Sequence, residues 1–353
     1  MSESLDRSRS FPHLGLWFRL AATLSCWDRQ RKAARAKRLP LPVISIGGLT
    51  LGGSGKTPLT CALAEALSSR GLQVGILSRG YRRRSRHPLL VSRGRGPLED
   101  AAKTGDEPYL LAASLPGVSV AVASERHDAG RLLLEQVPGI ELFLLDDGFS
   151  HRQLLRDLDL VVLSGEDPFG GLNFPPFGQL RVSPHAVREA HAVVWIEPAV
   201  DLGNEEKEEA LKACQTSLQA LGFSGPIFAA KRQWDKPRAA NGSNRDILPG
   251  TPVVAVSGLA RPESFHHALQ RMQLSVQEYL DFPDHHPYPA RSLRKIREVT
   301  ERTGAQWVVT TAKDLPKLAW RLKDLSWAVL PYRVAPEPRL LAWILERIGG
   351  LQP

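Results

Sequence analysis

The chain has 353 residues, enough for one large α/β domain or for two unequal domains that each bury a hydrophobic core. Its 42% hydrophobic and 24% charged residues are typical of a folded protein and exclude a largely disordered chain. The formal charge of +9 favours an anionic partner, either nucleic acid, an acidic membrane surface or a phosphorylated substrate.

Residues Phe11 to Trp27 form an apolar stretch without a convincing small-residue cleavage site, and Arg19 near its middle argues against a membrane span. Apolar residues recur at largely helical spacing, and basic residues follow closely. The apolar residues are Leu14, Trp17, Phe18, Ala21, Ala22 and Leu24, and the basic ones are Arg29, Arg31, Lys32, Arg35, Lys37 and Arg38. This pattern predicts an amphipathic helix lying on anionic lipid, with a helix packed on the protein's own core as the alternative.

From Val43 to Leu163, short β-branched or leucine-rich runs alternate with amphipathic helices. This alternation predicts parallel strands joined by crossover helices, in a doubly wound sheet. The predicted strands are Val43 to Ile46, Gln73 to Leu77, Val118 to Ala123, Ile140 to Asp146 and Leu158 to Leu163.

A glycine-rich turn follows the first of these strands and precedes a helix, which is the context of a P-loop. It reads Gly52-Gly53-Ser54-Gly55-Lys56-Thr57-Pro58, with Thr50 where the first glycine of the motif usually stands. Its backbone N–H groups can bind the phosphates of ATP, Lys56 can reach the β and γ oxygens, and the Thr57 hydroxyl can ligate Mg²⁺.

The strand Ile140 to Asp146 ends in two carboxylates, Asp146 and Asp147, followed by Gly148. Strand ends beside a P-loop strand are where Mg²⁺ is coordinated, so both are predicted metal ligands. An Asp-Asp-Gly turn without a ligand is the alternative. The three cysteines, Cys26, Cys61 and Cys214, lack metal-binding spacing, so we expect a reducing compartment and no structural metal.

The stretch Asp235 to Gly250 is rich in Pro, Asn, Gly and charge, and a second α/β alternation follows it. The prediction is therefore an α/β, P-loop NTPase-like protein with a largely parallel doubly wound sheet, a second smaller α/β domain and an N-terminal amphipathic helix. Its predicted parts are a membrane-associating helix and basic segment at 1–40, a kinase domain at 41–234, a linker at 235–250 and a C-terminal domain at 251–353.

Several clusters in this order resemble the tetraacyldisaccharide 4'-kinase family over nearly the whole chain. They are Gly52 to Pro58, Ser78-Arg79-Gly80-Tyr81, Gly105-Asp106-Glu107-Pro108, Asp146-Asp147-Gly148 with His151, Phe282-Pro283-Asp284-His285-His286 and Lys313-Asp314. The resemblance implies phosphorylation of the 4'-hydroxyl of an acylated glucosamine disaccharide 1-phosphate to give lipid IVA. It also implies a location at the cytoplasmic face of the inner membrane, peripheral or monotopic.

The resemblance further implies that Asp106 is the catalytic base, that His285 sets its charge and orientation, and that Glu107 supports Mg²⁺ directly or through water. For these residues the alternatives are that Asp106 caps a helix, that His286 is the partner of Asp106, or that the Asp-His-His string is a solvent-exposed turn.

The chain departs from the family pattern at three places. Ser150 stands where a glutamine is usual, Val182 follows Arg181 where an acidic residue is expected, and Thr311-Ala312-Lys313-Asp314 replaces Thr-Glu-Lys-Asp.

Two other functions fit parts of the sequence. A membrane-associated partitioning or regulatory ATPase shares the GGxGKT loop, but the GDEP and Asp-His-His clusters favour a substrate site. A run of Arg82, Arg83, Arg84 and Arg86 could contact nucleic acid, but it lacks interleaved aromatic residues, so we expect no nucleic-acid partner.

Overall fold

The computed structural model describes residues 12–81, 83, 86–198, 202–240, 247–259 and 262–350. The side chain of Leu14, residues Arg82 and Arg84 of the arginine run, and Asn241 of the predicted linker lie outside the described residues. The chain divides into two compact units. Met1–Glu197, Gly203–Ala230 and Pro336–Pro353 form the first, and Pro198–Leu202 with Lys231–Ala335 form the second.

Strands and helices alternate along most of the chain. The helices are α1 (Pro12–Ala33), α2 (Lys56–Ser68), α3 (Ala101–Thr104), α4 (Asp106–Ser114), α5 (Arg126–Gln136), α6 (Asn204–Ala220), α7 (Glu263–Arg271), α8 (Ala290–Thr303), α9 (Leu315–Leu318) and α10 (Pro338–Gly349). The strands are β1 (Val43–Gly47), β2 (Val74–Ser78), β3 (Leu89–Arg93), β4 (Ser119–Val122), β5 (Leu142–Asp146), β6 (Leu158–Ser164), β7 (Ala192–Ile196), β8 (Ile227–Trp234), β9 (Arg238–Ala239), β10 (Pro252–Ser257), β11 (Ser275–Asp281), β12 (Trp307–Thr311), β13 (Trp327–Leu330) and β14 (Tyr332–Pro336).

The larger sheet has nine strands in the order β14-β8-β7-β6-β1-β5-β2-β4-β3. From β8 through to β4 all neighbours are parallel, and β3 pairs antiparallel with β4. Every residue of β1, β2, β5, β6 and β7 is buried, as expected for parallel strands covered on both faces. The predicted doubly wound, largely parallel sheet is therefore confirmed.

The register of this sheet places the candidate site. Ile46 of β1 lies opposite Asp146 of β5, so the carboxyl ends of the two strands are adjacent. The glycine-rich turn that leaves β1 therefore begins beside the acidic pair that ends β5.

The smaller sheet has five strands in the order β11-β10-β12-β13-β9, and only β9 runs antiparallel to its neighbour. The predicted second α/β alternation is thus present, and Arg238–Ala239 of the predicted linker forms its edge strand. The observed units divide the chain differently from the sequence-based domains. Pro336–Pro353, predicted to belong with the C-terminal domain, groups with the first unit, where Trp343 of α10 packs on Phe228 with ring centroids 5.6 Å apart.

The N-terminal helix α1 has one face on the first unit and an apolar face in solvent. Phe18, Ala21 and Ala22 pack against the core cluster beside β6 and β7, and Arg29 donates to the Phe149 carbonyl (3.0 Å). The exposed residues recur every three or four positions, so they share a face. They are Trp17, Leu20, Leu24 and Trp27, with 40 to 65% of their surface accessible. The packed face agrees with the interpretation of a helix on the protein's own core, and contact of the exposed face with lipid stays a prediction.

Within the described part of the chain, none of the helices combines the length and apolar character needed to cross a membrane.

Candidate active site

The glycine-rich turn forms a loop at the start of α2. Gly52 and Gly55 both have φ of 87°, in the left-handed region that glycine tolerates. Lys56 is the first residue of the helix, and its Nζ folds back to the Gly52 carbonyl (3.2 Å) and the Ser54 hydroxyl (3.1 Å). A methyl group added at Gly53 would meet no atom within 4 Å, so the protein's own packing leaves the space beside Gly53 open.

Asp146 is held against the first turns of α2. Its carboxylate accepts hydrogen bonds from the Thr60 hydroxyl (3.0 Å) and the Thr57 hydroxyl (3.4 Å), and only 1% of its surface is exposed. Two of the predicted metal ligands, Thr57 and Asp146, are thus brought into contact.

Asp147 faces two cations beside the loop. Lys56 Nζ lies 3.9 Å from one carboxylate oxygen, and Arg181 donates a short hydrogen bond to the other. Arg181 also donates to the Ser150 hydroxyl (3.3 Å). Ser150, one of the departures from the family pattern, therefore keeps a hydrogen-bonding contact to this cluster.

Arg181 reaches the loop because its backbone pairs with the residues that follow β1. The Leu51 N–H donates to the Gln179 carbonyl and the Arg181 N–H donates to the Leu49 carbonyl, both at 2.7 Å. Val182, the second departure from the family pattern, is 2% exposed and packs in the apolar core. Sequence analysis gave Arg181 no role, because its partner Asp147 is 34 positions away and no periodic element joins them.

The charges at this site oppose one another. Burial, together with the nearby carboxylates of Glu107 and Asp147, raises the pKa of Asp146 to about 7. Burial also opposes ionisation of Asp147, but Lys56 and Arg181 outweigh it and lower the pKa of that carboxyl below its usual value. The charged form is therefore disfavoured at Asp146, whereas at Asp147 it is stabilised by the two cations.

A buried arginine, Arg126, interacts electrostatically with Asp146 and Asp147. Arg126, the first residue of α5, is 5% exposed and contacts His151 (Nη1 to Nδ1, 3.3 Å). Burial lowers the pKa of Arg126 to about 10, with Asp147 opposing the shift. Burial and the neighbouring Arg126 and Arg156 lower the pKa of His151 to about 3, so its imidazole is neutral near pH 7. Arg126 was also missed by sequence analysis. It follows β4 at the same edge of the sheet, where ligand-binding residues are expected.

Asp106 and Glu107 form the first turn of α4, where the helix dipole favours their negative charge. The N-cap is Gly105, so Asp106 is not itself the capping residue. A methyl group on Gly105 would lie 3.1 Å from the Gly80 Cα, so the Ser-Arg-Gly-Tyr and Gly-Asp-Glu-Pro motifs are packed backbone to backbone. The negative charge of Glu107 contributes to the raised pKa of Asp146, so the two carboxylates interact electrostatically.

His285, the other predicted catalytic residue, lies in the second unit, on the loop after β11. Its Nε2 lies 3.9 Å from an oxygen of Asp284, which is ion-paired with Lys313 (2.5 Å). His286 is engaged elsewhere: its Nε2 contacts the Ser292 hydroxyl (2.9 Å), and its ring stacks on Phe282 at 4.8 Å. The pairing of Asp106 with His285 stays a prediction.

No group of three or more His, Cys, Asp or Glu side chains arranged to hold a metal is present among the described residues. Magnesium in nucleotide-dependent enzymes is held mainly by one or two carboxylates, water and substrate phosphates, so this finding does not conflict with a magnesium site. The structure brings together Lys56, Thr57, Asp146 and Asp147, with Glu107 close enough to affect Asp146.

A glycine-rich loop between a parallel strand and a helix, with a hydrogen-bonded acidic strand end beside it, defines a P-loop NTPase fold. Residues 9–349 match the family model described as Tetraacyldisaccharide-1-P 4'-kinase. The chain belongs to this family.

Relatives and a solved structure agree with this assignment. The chain is 40% identical over 301 residues to the tetraacyldisaccharide 4'-kinase of Anaeromyxobacter dehalogenans, covering 85% of this chain and 79% of the relative. It is 36% identical to that of Chromobacterium violaceum, covering 88% and 85%. The structure is similar to an "apo" form of LpxK from Aquifex aeolicus in complex with ATP, with TM-score 0.71, 31% identity, and 97% and 99% coverage. The predicted family is confirmed, and the partitioning-ATPase alternative is not favoured.

Proposed function

We propose that this protein transfers the γ-phosphoryl group of ATP to the 4'-hydroxyl of tetraacyldisaccharide 1-phosphate, giving lipid IVA. The observation that carries the proposal is the contact of Thr57 with Asp146 beside Lys56, in a chain that belongs to this kinase family. Lys56 Nζ now binds the loop's own oxygens at Gly52 and Ser54, which are the contacts that phosphate oxygens would replace.

The residues at the loop suit Mg²⁺ as well as ATP. The donors are oxygens, from the Thr57 hydroxyl and the carboxylates of Asp146, Asp147 and Glu107, which is the ligand set that Mg²⁺ prefers. Burial and the nearby carboxylates of Glu107 and Asp147 raise the pKa of Asp146, and a bound cation would stabilise its charged form. Bound Mg²⁺ would neutralise charge on the transferring phosphate. Arg181, fixed on Asp147, holds that carboxylate in place.

Asp106 is proposed to orient the acceptor hydroxyl and to take its proton, with His285 setting the orientation and charge of that carboxylate. The local structure supports the choice of His285 over His286, because His286 is already fixed by Ser292 and Phe282. The second unit would then contribute to the substrate site. The kinase domain predicted at 41–234 would bind the nucleotide.

We further propose that the protein sits peripherally on the cytoplasmic face of the inner membrane. The exposed face of α1 offers two tryptophans and two leucines to lipid, and basic residues follow on the same helix and after it. A net charge of +9 suits an anionic membrane surface and a phosphorylated lipid substrate. We expect no nucleic-acid partner.

The test is incubation of the purified chain with labelled ATP, Mg²⁺ and the tetraacylated disaccharide 1-phosphate in mixed micelles. A new phosphorylated lipid whose added phosphate maps to the 4' position is expected. ATP hydrolysis that does not depend on lipid would favour the ATPase alternative and contradict the proposal.

A further inference from the structure

The chemically active side chains of the second unit collect at one edge of its sheet. Strands β11, β10 and β12 are parallel neighbours, so their carboxyl ends share an edge. Asp284 and His285 follow β11 at this edge, and Lys313 and Asp314 follow β12. Ligand sites in open α/β sheets form at this edge, which makes any contact between the two segments relevant to the reaction.

The turn after β12 is fixed by a buried carboxylate. Asp314 is fully buried, and its Oδ2 accepts hydrogen bonds from the Gly258 N–H (2.9 Å) and the Thr311 hydroxyl (2.8 Å). Hydrogen bonds to a buried carboxylate are charge-assisted and costly to break. The backbone of Lys313, the residue before Asp314, is therefore held in a defined place at the end of β12.

From this fixed turn, Lys313 reaches the loop that carries His285. Its Nζ donates to Asp284 Oδ1 (2.5 Å), and only 18% of the lysine side chain is exposed. The second oxygen of Asp284 lies 3.9 Å from His285 Nε2. Lys313, Asp284 and His285 thus form a continuous chain of charged and polar contacts.

The backbone of His285 needs such support. Its φ is 59°, in the left-handed region that residues other than glycine rarely adopt, and such conformations persist only where neighbours hold them. On the far side, the stacking of His286 on Phe282 anchors the next residue. The Lys313–Asp284 pair supplies the anchor on the near side.

We propose that Lys313, acting through Asp284, is a positioning residue that holds the His285 imidazole in the orientation needed for phosphoryl transfer. The inference rests on the proposed role of His285. An ordinary surface ion pair would contribute little. This pair differs because its lysine is mostly buried and joins two segments 29 positions apart.

The first test observes the His285 imidazole by NMR spectroscopy and does not depend on enzymatic activity. Ring ¹H–¹³C spectra of the histidines are compared between wild type, Lys313→Met, Lys313→Arg and Lys323→Met, the last at an exposed lysine of the same unit. The His285 signal is expected to shift in Lys313→Met and to stay near wild type in Lys313→Arg and Lys323→Met, while His286 is unchanged. An unmoved His285 signal in folded Lys313→Met overturns the inference. If Lys313→Met does not fold, Asp284→Asn replaces it and the same results decide.

The second test measures how the loss of Lys313 affects catalysis. Lys313→Met should lower kcat about tenfold while KM for ATP changes by less than about twofold, and it should add no loss in a His285→Ala background. Equal losses in both backgrounds would mean that Lys313 acts independently of His285, which overturns the inference and leaves the kinase function standing. Failure of the wild type to phosphorylate the lipid overturns the proposed function, and the imidazole spectra still decide on positioning.

Discussion

Thr60 donates its hydroxyl to Asp146 across 3.0 Å, one helical turn beyond the loop lysine, and its oxygen also lies 3.1 Å from the Lys56 carbonyl. The residue that fixes the orientation of the buried carboxylate is therefore on the same helix as Thr57, the other metal-ligand candidate. The geometry of α2 sets the distance between the two candidate ligands.

Removing the hydrogen bond from Thr60 to Asp146 should weaken Mg²⁺ binding more than it destabilises the fold. Thr60→Val keeps the shape but deletes the hydroxyl, so Asp146 loses a hydrogen bond that stabilises its charged form. We expect the Mg²⁺ concentration for half-maximal activity to rise about tenfold, the scale of one charge-assisted hydrogen bond at the low end. Thr60→Ser should restore it. An unchanged Mg²⁺ dependence in Thr60→Val would contradict the assignment of Asp146.

Lys56→Ala should abolish turnover and leave the fold intact, because Lys56 contacts loop oxygens and Asp147 rather than the core. The loss should exceed about 100-fold in kcat, the scale of removing one charge that stabilises the transition state. Lys103→Ala, at an exposed lysine paired with Glu99, is the matched control and should stay near wild type. Substantial activity in folded Lys56→Ala would remove the P-loop from the mechanism.

Asp106→Ala and His285→Ala should each lower kcat by at least about tenfold with little change in ATP affinity, as expected for loss of a general base and its partner. Because the two are proposed to act as one unit, the double variant should be scarcely worse than the poorer single one. Fully additive losses would show independent roles. An unaffected His285→Ala beside an inactive His286→Ala would move the role to His286.

Replacing the exposed apolar face of α1 should release the protein from lipid without disturbing ATP binding. The variant carries serine or glutamine at Trp17, Leu20, Leu24 and Trp27, and flotation with anionic vesicles should show most of it unbound. Phe18→Ala, on the opposite face, removes a contact with Phe174 at 5.7 Å. It should lower the melting temperature and leave vesicle binding intact. Equal vesicle binding by the four-residue variant and the wild type would contradict the membrane role.

His151 should make the protein less stable in mild acid. Its pKa is lowered from 6.5 to about 3 in the folded state, so between these values the unfolded chain binds a proton that the native chain does not. Stability is therefore lost as pH falls from 6.5 towards 3. His151→Asn should show a smaller fall in melting temperature between pH 7 and pH 5 than the wild type. His185→Asn, at an exposed histidine of the same unit, should behave like the wild type.

The sequence was informative where physical constraints are local. Parallel strands buried on both faces need apolar runs, so β1, β5 and β6 were located to within a few residues. The loop and Asp146 were found because strand ends carry chemistry in this class of fold.

Positions that depend on distant packing were not predicted. β7 and β8 extend the sheet, but neither lies in the alternation from Val43 to Leu163 that gave the other strands. Helix α10 follows the second unit in sequence and returns to the first, guided by its apolar face and the contact of Trp343 with Phe228. The Arg181–Asp147 pair likewise depends on an irregular segment that only the folded chain brings beside the loop.

The pairing of residues 49–51 with residues 179–181 ties the nucleotide loop to that irregular segment. The amide protons of Leu51 and Arg181 each close a hydrogen bond to the opposite segment, so neither can exchange with solvent unless the two segments separate. In deuterium-labelling experiments the two amides should therefore show one common protection factor. A ligand that orders the loop should slow both by the same factor, including the one at Arg181, which lies 125 positions from Lys56 in sequence.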